Sequence, residues 1–68
     1  MTLMIKLNGV SRQFPAPMSV ADLVETLGYT GKRMAVERNG DIVPKGLHAA
    51  TALENGDALE IVVAVGGG

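Results

Sequence analysis

Leu3, Ile5 and Leu7 alternate with Met4 and Lys6, the period-two pattern of a strand with one face covered. Asn8-Gly9 follows and suits a type I′ turn, because both central residues take positive φ at little cost. Val10-Ser11-Arg12-Gln13-Phe14 then returns as a second strand, so the chain opens on a hairpin. Pro15-Ala16-Pro17 is expected to end that pairing, since proline offers no N–H to a ladder. Ser19 reads as a helix N-cap with Asp22 as its capping-box partner, one methylene shorter than the usual Glu. Val20, Leu23, Val24 and Leu27 fall at i, i+3, i+4 and i+7, the apolar stripe of a helix over about residues 20–27. Asp22 and Glu25 lie off the stripe and are expected in solvent, and Gly28 sits at the expected C′ position.

Met34-Ala35-Val36-Glu37-Arg38 reads as a third strand, Asn39-Gly40 as a second tight turn, and Ile42-Val43 as a short strand stopped by Pro44. Residues 47–53 lack a clear period, which suggests one turn of 3₁₀ helix. Glu54-Asn55-Gly56-Asp57 is a polar turn leading into Ala58-Leu59-Glu60-Ile61-Val62-Val63-Ala64-Val65. That last strand is apolar on both faces, which places it centrally in its sheet. Leu59, Ile61, Val63 and Val65 would share one face; Glu60, Val62 and Ala64 the other. The pattern predicts an α+β fold, a mixed sheet of four to five strands with one main helix on one face, in the order β-β-α-β-β-β. The helix makes a crossover, so the strand it feeds is free to pair in parallel with an earlier one.

With 68 residues this is one small domain. One Phe, one Tyr and no Trp make the core aliphatic, and the absence of Cys excludes disulfides, thiolate metal sites and a cysteine nucleophile. A net charge of -1, with Lys32-Arg33 the only adjacent basic pair, gives no footprint for nucleic acid. No apolar run reaches the length of a membrane span, and the first residues do not read as a signal peptide, so a cytoplasmic location is expected.

The chain closes on Gly66, Gly67 and Gly68. Glycine adds nothing to a core, yet three in a row can thread a channel that any side chain would block. The division expected is a domain over 1–65 and a flexible tail over 66–68. Read as a true terminus, Gly68 presents a free carboxylate on a thin tether. Val62 and Ala64 would form an exposed apolar patch beside it, because one short helix covers only one face; Met4 and Val10 would join that patch. Gly28-Tyr29-Thr30-Gly31-Lys32-Arg33 fails the spacing of a phosphate loop and is read as a cap and loop. His48, the only histidine, has no visible orienting partner or nucleophile and is read as solvated.

Taken together, the Leu3–Asn8 start, the Ser19 to Leu27 helix, Met34 to Asn39, Ile42-Val43-Pro44, Leu53 to Asp57 and Val62 to Gly68 resemble the β-grasp (ubiquitin-like) proteins. Among these the chain is most similar to the small sulfur carriers of thiamine (thiazole) biosynthesis, the ThiS type. The resemblance covers the whole chain, with one extra glycine, Gly66, ahead of the terminal pair Gly67-Gly68. It implies a protein that is not an enzyme and binds no cofactor of its own. An E1-like adenylating enzyme would use ATP to convert the Gly68 carboxylate to an acyl-adenylate. Sulfur from a cysteine desulfurase or related donor would then make it a thiocarboxylate, spent at a thiazole synthase. Gly66 and Gly67 would thread the partner's active site, and Val62, Ala64, Val65 and Met4 would form the partner interface. Two alternatives remain. One is a carrier of another pathway, such as the small subunit of molybdopterin synthase or a carrier for cysteine or tRNA thiolation. The other is a β-grasp interaction module with no covalent chemistry.

Overall fold

The computed structural model describes residues 1–64. Its elements are β1 (Thr2–Leu7), β2 (Val10–Pro15), α1 (Val20–Thr26), β3 (Met34–Arg38), β4 (Asp41–Ile42), a 3₁₀ turn (Lys45–Leu47) and β5 (Ala58–Val63). The five strands form one mixed sheet in the order β2-β1-β5-β3-β4. This is the α+β mixed sheet with one helix that the hydrophobic pattern predicts, in the β-grasp order that the resemblance implies.

Both asparagine turns are left-handed: φ is 50° at Asn8 and 84° at Gly9, and 52° at Asn39 and 89° at Gly40. The first aligns β1 with β2 from Leu7 opposite Val10 to Thr2 opposite Pro15. Pairing therefore passes Pro15 instead of stopping before it, and the Ala16 N–H still donates to the Met1 carbonyl at 2.9 Å. Pro15 is tolerated because β2 is an edge strand, and the alternation of the ladder turns its nitrogen outward, where no donor is needed.

The helix begins at its cap. The Ser19 hydroxyl accepts from the Asp22 N–H at 3.1 Å and the Asp22 carboxylate accepts from the Ser19 N–H at 3.0 Å, so the shorter Asp closes the box. The helix ends at Thr26, with Leu27 as its C-cap and Gly28 at φ 79°. Val20, Leu23 and Val24 are buried against Leu3, Ile5 and Leu7 of β1, Phe14 of β2, Val36 of β3 and Leu59 and Ile61 of β5. Seven residues are too few for an isolated helix, so this packing and the cap hold it.

The parallel pair is not the one the crossover suggests. The strand after the helix, β3, runs antiparallel to β5, and β5 itself is the strand that lies parallel to β1. β5, with Leu59 and Ile61 on one face and Val62 on the other, takes the central lane, and β3 lies one place outward. Two boundaries also differ. The short fourth strand is Asp41–Ile42, although the Val43 N–H still bonds the Val36 carbonyl at 2.8 Å. The 3₁₀ turn lies at Lys45–Leu47, directly after Pro44, rather than within 47–53.

Candidate functional site at the end of the central strand

β5 is held on the β3 side as far as Ala64 and on the β1 side as far as Ile61. Toward β3 it runs in register from Arg38 opposite Leu59 to Met34 opposite Val63, and the Ala64 N–H donates to the Arg33 carbonyl at 2.9 Å. Toward β1 the Lys6 N–H donates to the Asp57 carbonyl and the Asn8 N–H to the Leu59 carbonyl, both at 2.9 Å. Where β1 ends, the Asn8 side chain takes over and bonds both backbone groups of Ile61.

The entry to β5 is fixed by charge. Asp57 is the buried polar residue among the described positions, with 6% of its surface exposed. Its carboxylate accepts from Arg38 Nε at 2.8 Å, from Asn39 Nδ2 at 3.0 Å and from the Glu54 N–H at 2.8 Å. Burial alone would push the Asp57 carboxyl up. The hydrogen bonds from Arg38, Glu54 and Asn39, with the Arg38 charge, outweigh it and hold the group below the usual carboxylate range. The hydrogen bond to Asp57 chiefly raises Arg38 in turn, burial opposing it.

The two faces of β5 differ as expected. Leu59 and Ile61 are buried and Val63 is half-buried, while Glu60, Val62 and Ala64 are exposed on the side without a helix. Val62 keeps 66% of its surface and stands opposite Ala35 of β3. Ile42, opposite Glu37 and 63% exposed, lies on the same open face. Periodicity does not reveal this position of Ile42, because its exposure depends on β4 being an edge strand.

Met4 shares that face, but the Gly56 N–H bonds its carbonyl, so it sits at the level of Gly56 along β5. Six residues separate that level from Val62, roughly 20 Å of strand. Val10 does not join the patch. It pairs with the buried Leu7, and directly paired residues share a face, so Val10 points to the helix side and is exposed only because it ends the strand. Val65, Gly66, Gly67 and Gly68 lie outside the described residues.

His48 is half-buried rather than solvated, with its ring Nε2 3.1 Å from the Val43 carbonyl. That contact ties the loop after the 3₁₀ turn to the edge of the sheet. Among the described residues no cluster of His, Cys, Asp and Glu could hold a metal ion, and no helix is long and apolar enough to cross a membrane. The central strand is bonded to the Arg33 carbonyl through Ala64, from which the sequence continues as Val65-Gly66-Gly67-Gly68.

The sequence profile of the ThiS family matches residues 5–68. A thiazole synthase of Paramagnetospirillum magneticum is 48% identical over 62 residues, which are 91% of this chain and only 19% of that protein. An uncharacterized protein, ycf40, of Pyropia yezoensis is 36% identical over 94% of this chain and 90% of its own length. The solved structure of a thiamine biosynthesis protein (ThiS) from Geobacter metallireducens superposes with a TM-score of 0.81 at 26% identity, covering 97% of this chain and 100% of that one. With hairpin, helix and central strand all inside these matches, the chain belongs to the ThiS family.

Proposed function

We propose that the Gly68 carboxylate is the group on which this carrier bears its sulfur. The observation that carries this is the anchoring of β5: bonded on both sides up to Ile61, and to Arg33 at Ala64, it delivers a side-chain-free sequence from a rigid base. A carboxylate is a poor electrophile. An adenylating enzyme uses ATP to make the acyl-adenylate, releasing pyrophosphate; the outer sulfur of a protein persulfide displaces AMP to form an acyl disulfide, and a thiol then reduces its S–S bond, releasing the thiocarboxylate and leaving a disulfide on the sulfur donor. Gly66 and Gly67 supply the narrow tether that lets the activated carbon enter a channel closed to water. Val62 and Ala64, with Val65 beyond them and Met4 farther along the same face, form the surface that the partner grips.

The recipient of the sulfur is a thiazole synthase. A stretch of the Paramagnetospirillum thiazole synthase that is 48% identical to this chain supports that partner. The test is mass spectrometry of the C-terminal peptide after incubation with the adenylating enzyme, ATP and a sulfur donor. One oxygen-to-sulfur exchange located on Gly68 is expected, and deleting Gly67-Gly68 should abolish it while the domain stays folded. Unchanged sulfur loading after the deletion would overturn the proposal.

A further inference from the structure

Successive residues of β5 bond to opposite neighbours. The even-numbered ones face β3: the Asn39 N–H donates to the Ala58 carbonyl at 2.8 Å and the Ala64 N–H to the Arg33 carbonyl at 2.9 Å. The odd-numbered ones face β1, as the bonds at Asp57, Leu59 and Ile61 demonstrate. By the same alternation the N–H and C=O of Val63 point into the lane of β1. Among the described residues no chain lies in that lane, because β1 ends at Leu7 and the Asn8-Gly9 turn carries the backbone away to β2. Among the described residues the partner of Val63 in the sheet is Met34, on the other side.

A second, independent feature lies at the same place. On the helix side, under the hairpin tip, an open groove of about 450 Å³ is lined by Leu7, Val10, Leu27, Tyr29 and Ile61, together with Asn8 and Arg12. A strand laid beside Val63 would send every second side chain toward this groove.

We propose that the adenylating enzyme, on receiving the tail, adds an extended segment in this lane, pairing with Val63 and seating one apolar side chain in the groove. Strand addition divides the work in the usual way: main-chain bonds give affinity, and the pocket for an alternate side chain gives selectivity. The occupant is a tail-enclosing enzyme because the lane adjoins the segment that has to enter that enzyme. This inference rests on the carrier function proposed above.

The test is amide hydrogen exchange by NMR on the full chain, alone and saturated with its adenylating enzyme. In the free protein the Val63 amide should exchange at least tenfold faster than those of Ile61 and Val62, and in the complex it should slow at least tenfold. Val10→Asp places a carboxylate at the groove wall on an exposed residue. It should raise the Kd for the enzyme tenfold or more with the urea midpoint unchanged. A Val63 amide already protected in the dilute free protein overturns the inference. So does one that keeps its free rate in a complex where Gly68 is being loaded. Protection that appears only at high concentration of the free chain assigns the lane to a second copy and overturns the partner. Failure of the wild type to gain sulfur, by contrast, overturns the carrier proposal itself.

Discussion

The side chain of Asn8 and the backbone of Ile61 exchange two hydrogen bonds: Asn8 Oδ1 accepts from the Ile61 N–H at 2.8 Å, and Asn8 Nδ2 donates to the Ile61 carbonyl at 3.2 Å. A carboxamide carries the same donor and acceptor as a peptide group, so Asn8 continues the β1–β5 ladder after the main chain has turned away. Asn39 does the same on the other flank of β5, accepting from the Ala58 N–H at 2.9 Å and donating to Asp57 Oδ1 at 3.0 Å. Each asparagine therefore serves a tight turn and clamps the strand that bears the tail.

Asn8→Gly separates these roles, because glycine keeps the left-handed turn and loses only the clamp. Each net hydrogen bond contributes about 0.5–1.5 kcal/mol, so the variant should lose about 1–3 kcal/mol. Asn8→Ala should cost about 1 kcal/mol more, since a β-carbon is strained at φ 50°. Urea unfolding of both variants checks the order, and an Asn8→Gly protein as stable as the wild type would remove the clamp from the account of how β5 is held.

Asp57 sets an acid limit on the fold. Its carboxyl lies below the ordinary value of 3.8 in the folded chain, so the unfolded chain binds the proton more readily. The resulting stability is fully present above that ordinary value and is lost as pH falls through the lower folded value. Unfolding free energy measured from pH 6 downward should therefore decline steeply below about pH 4. In Asp57→Asn the protein should start about 2–4 kcal/mol less stable at pH 7, since Arg38 loses its buried counter-charge, and the acid decline should be shallower. Parallel acid limbs in the two proteins would assign the decline to other carboxylates.

Most of this architecture is written in short-range pattern. β1, α1 and β3 follow from alternation at Leu3-Ile5-Leu7, the stripe at Val20-Leu23-Val24 and the run ahead of Asn39-Gly40. The central place of β5 follows from its carrying apolar residues on both faces. What could not be read there depends on neighbours distant in sequence. Val10 and Met4 are both exposed apolar strand residues, but only pairing to Leu7 and to the level of Gly56 tells which face and which end each occupies. The clamp of Asn8 on Ile61 spans 53 residues, and a turn signal says nothing of what its side chain will reach. Asp57 looked like an ordinary turn residue; its burial comes from Arg38 and Asn39 arriving on β3 and the turn beyond it.

The helix should respond to its cap more than its length suggests. Ser19→Ala removes the acceptor for the Asp22 N–H from a helix of seven residues, and an N-cap of this kind is worth about 1 kcal/mol. For a domain of this size that loss lowers Tm by about 4–8 °C. Calorimetry or a thermal melt followed by circular dichroism reads the shift. A change below about 1 °C would mean that packing of Val20, Leu23 and Val24 alone sets the helix start.

The open face is tested by putting charge where a partner must exclude water. Val62 is 66% exposed and touches no core, so Val62→Lys should leave stability within about 1 kcal/mol of the wild type. Burying that ammonium against an apolar partner surface without a counter-charge costs more than about 1.4 kcal/mol, a tenfold rise in Kd or more for the adenylating enzyme. Ile42→Lys, on the same face two lanes away, should act in the same direction. A footprint of about 800 Å² per partner is wide enough to reach Met4 from Val62, roughly 20 Å along the strand. Because Met4 would then sit at the rim, Met4→Lys should weaken binding less than Val62→Lys does. Titration calorimetry on the three variants ranks them. Equal affinities for the wild type and Val62→Lys would take the helix-free face out of the interface and leave the groove side of β5 as the surface the enzyme grips.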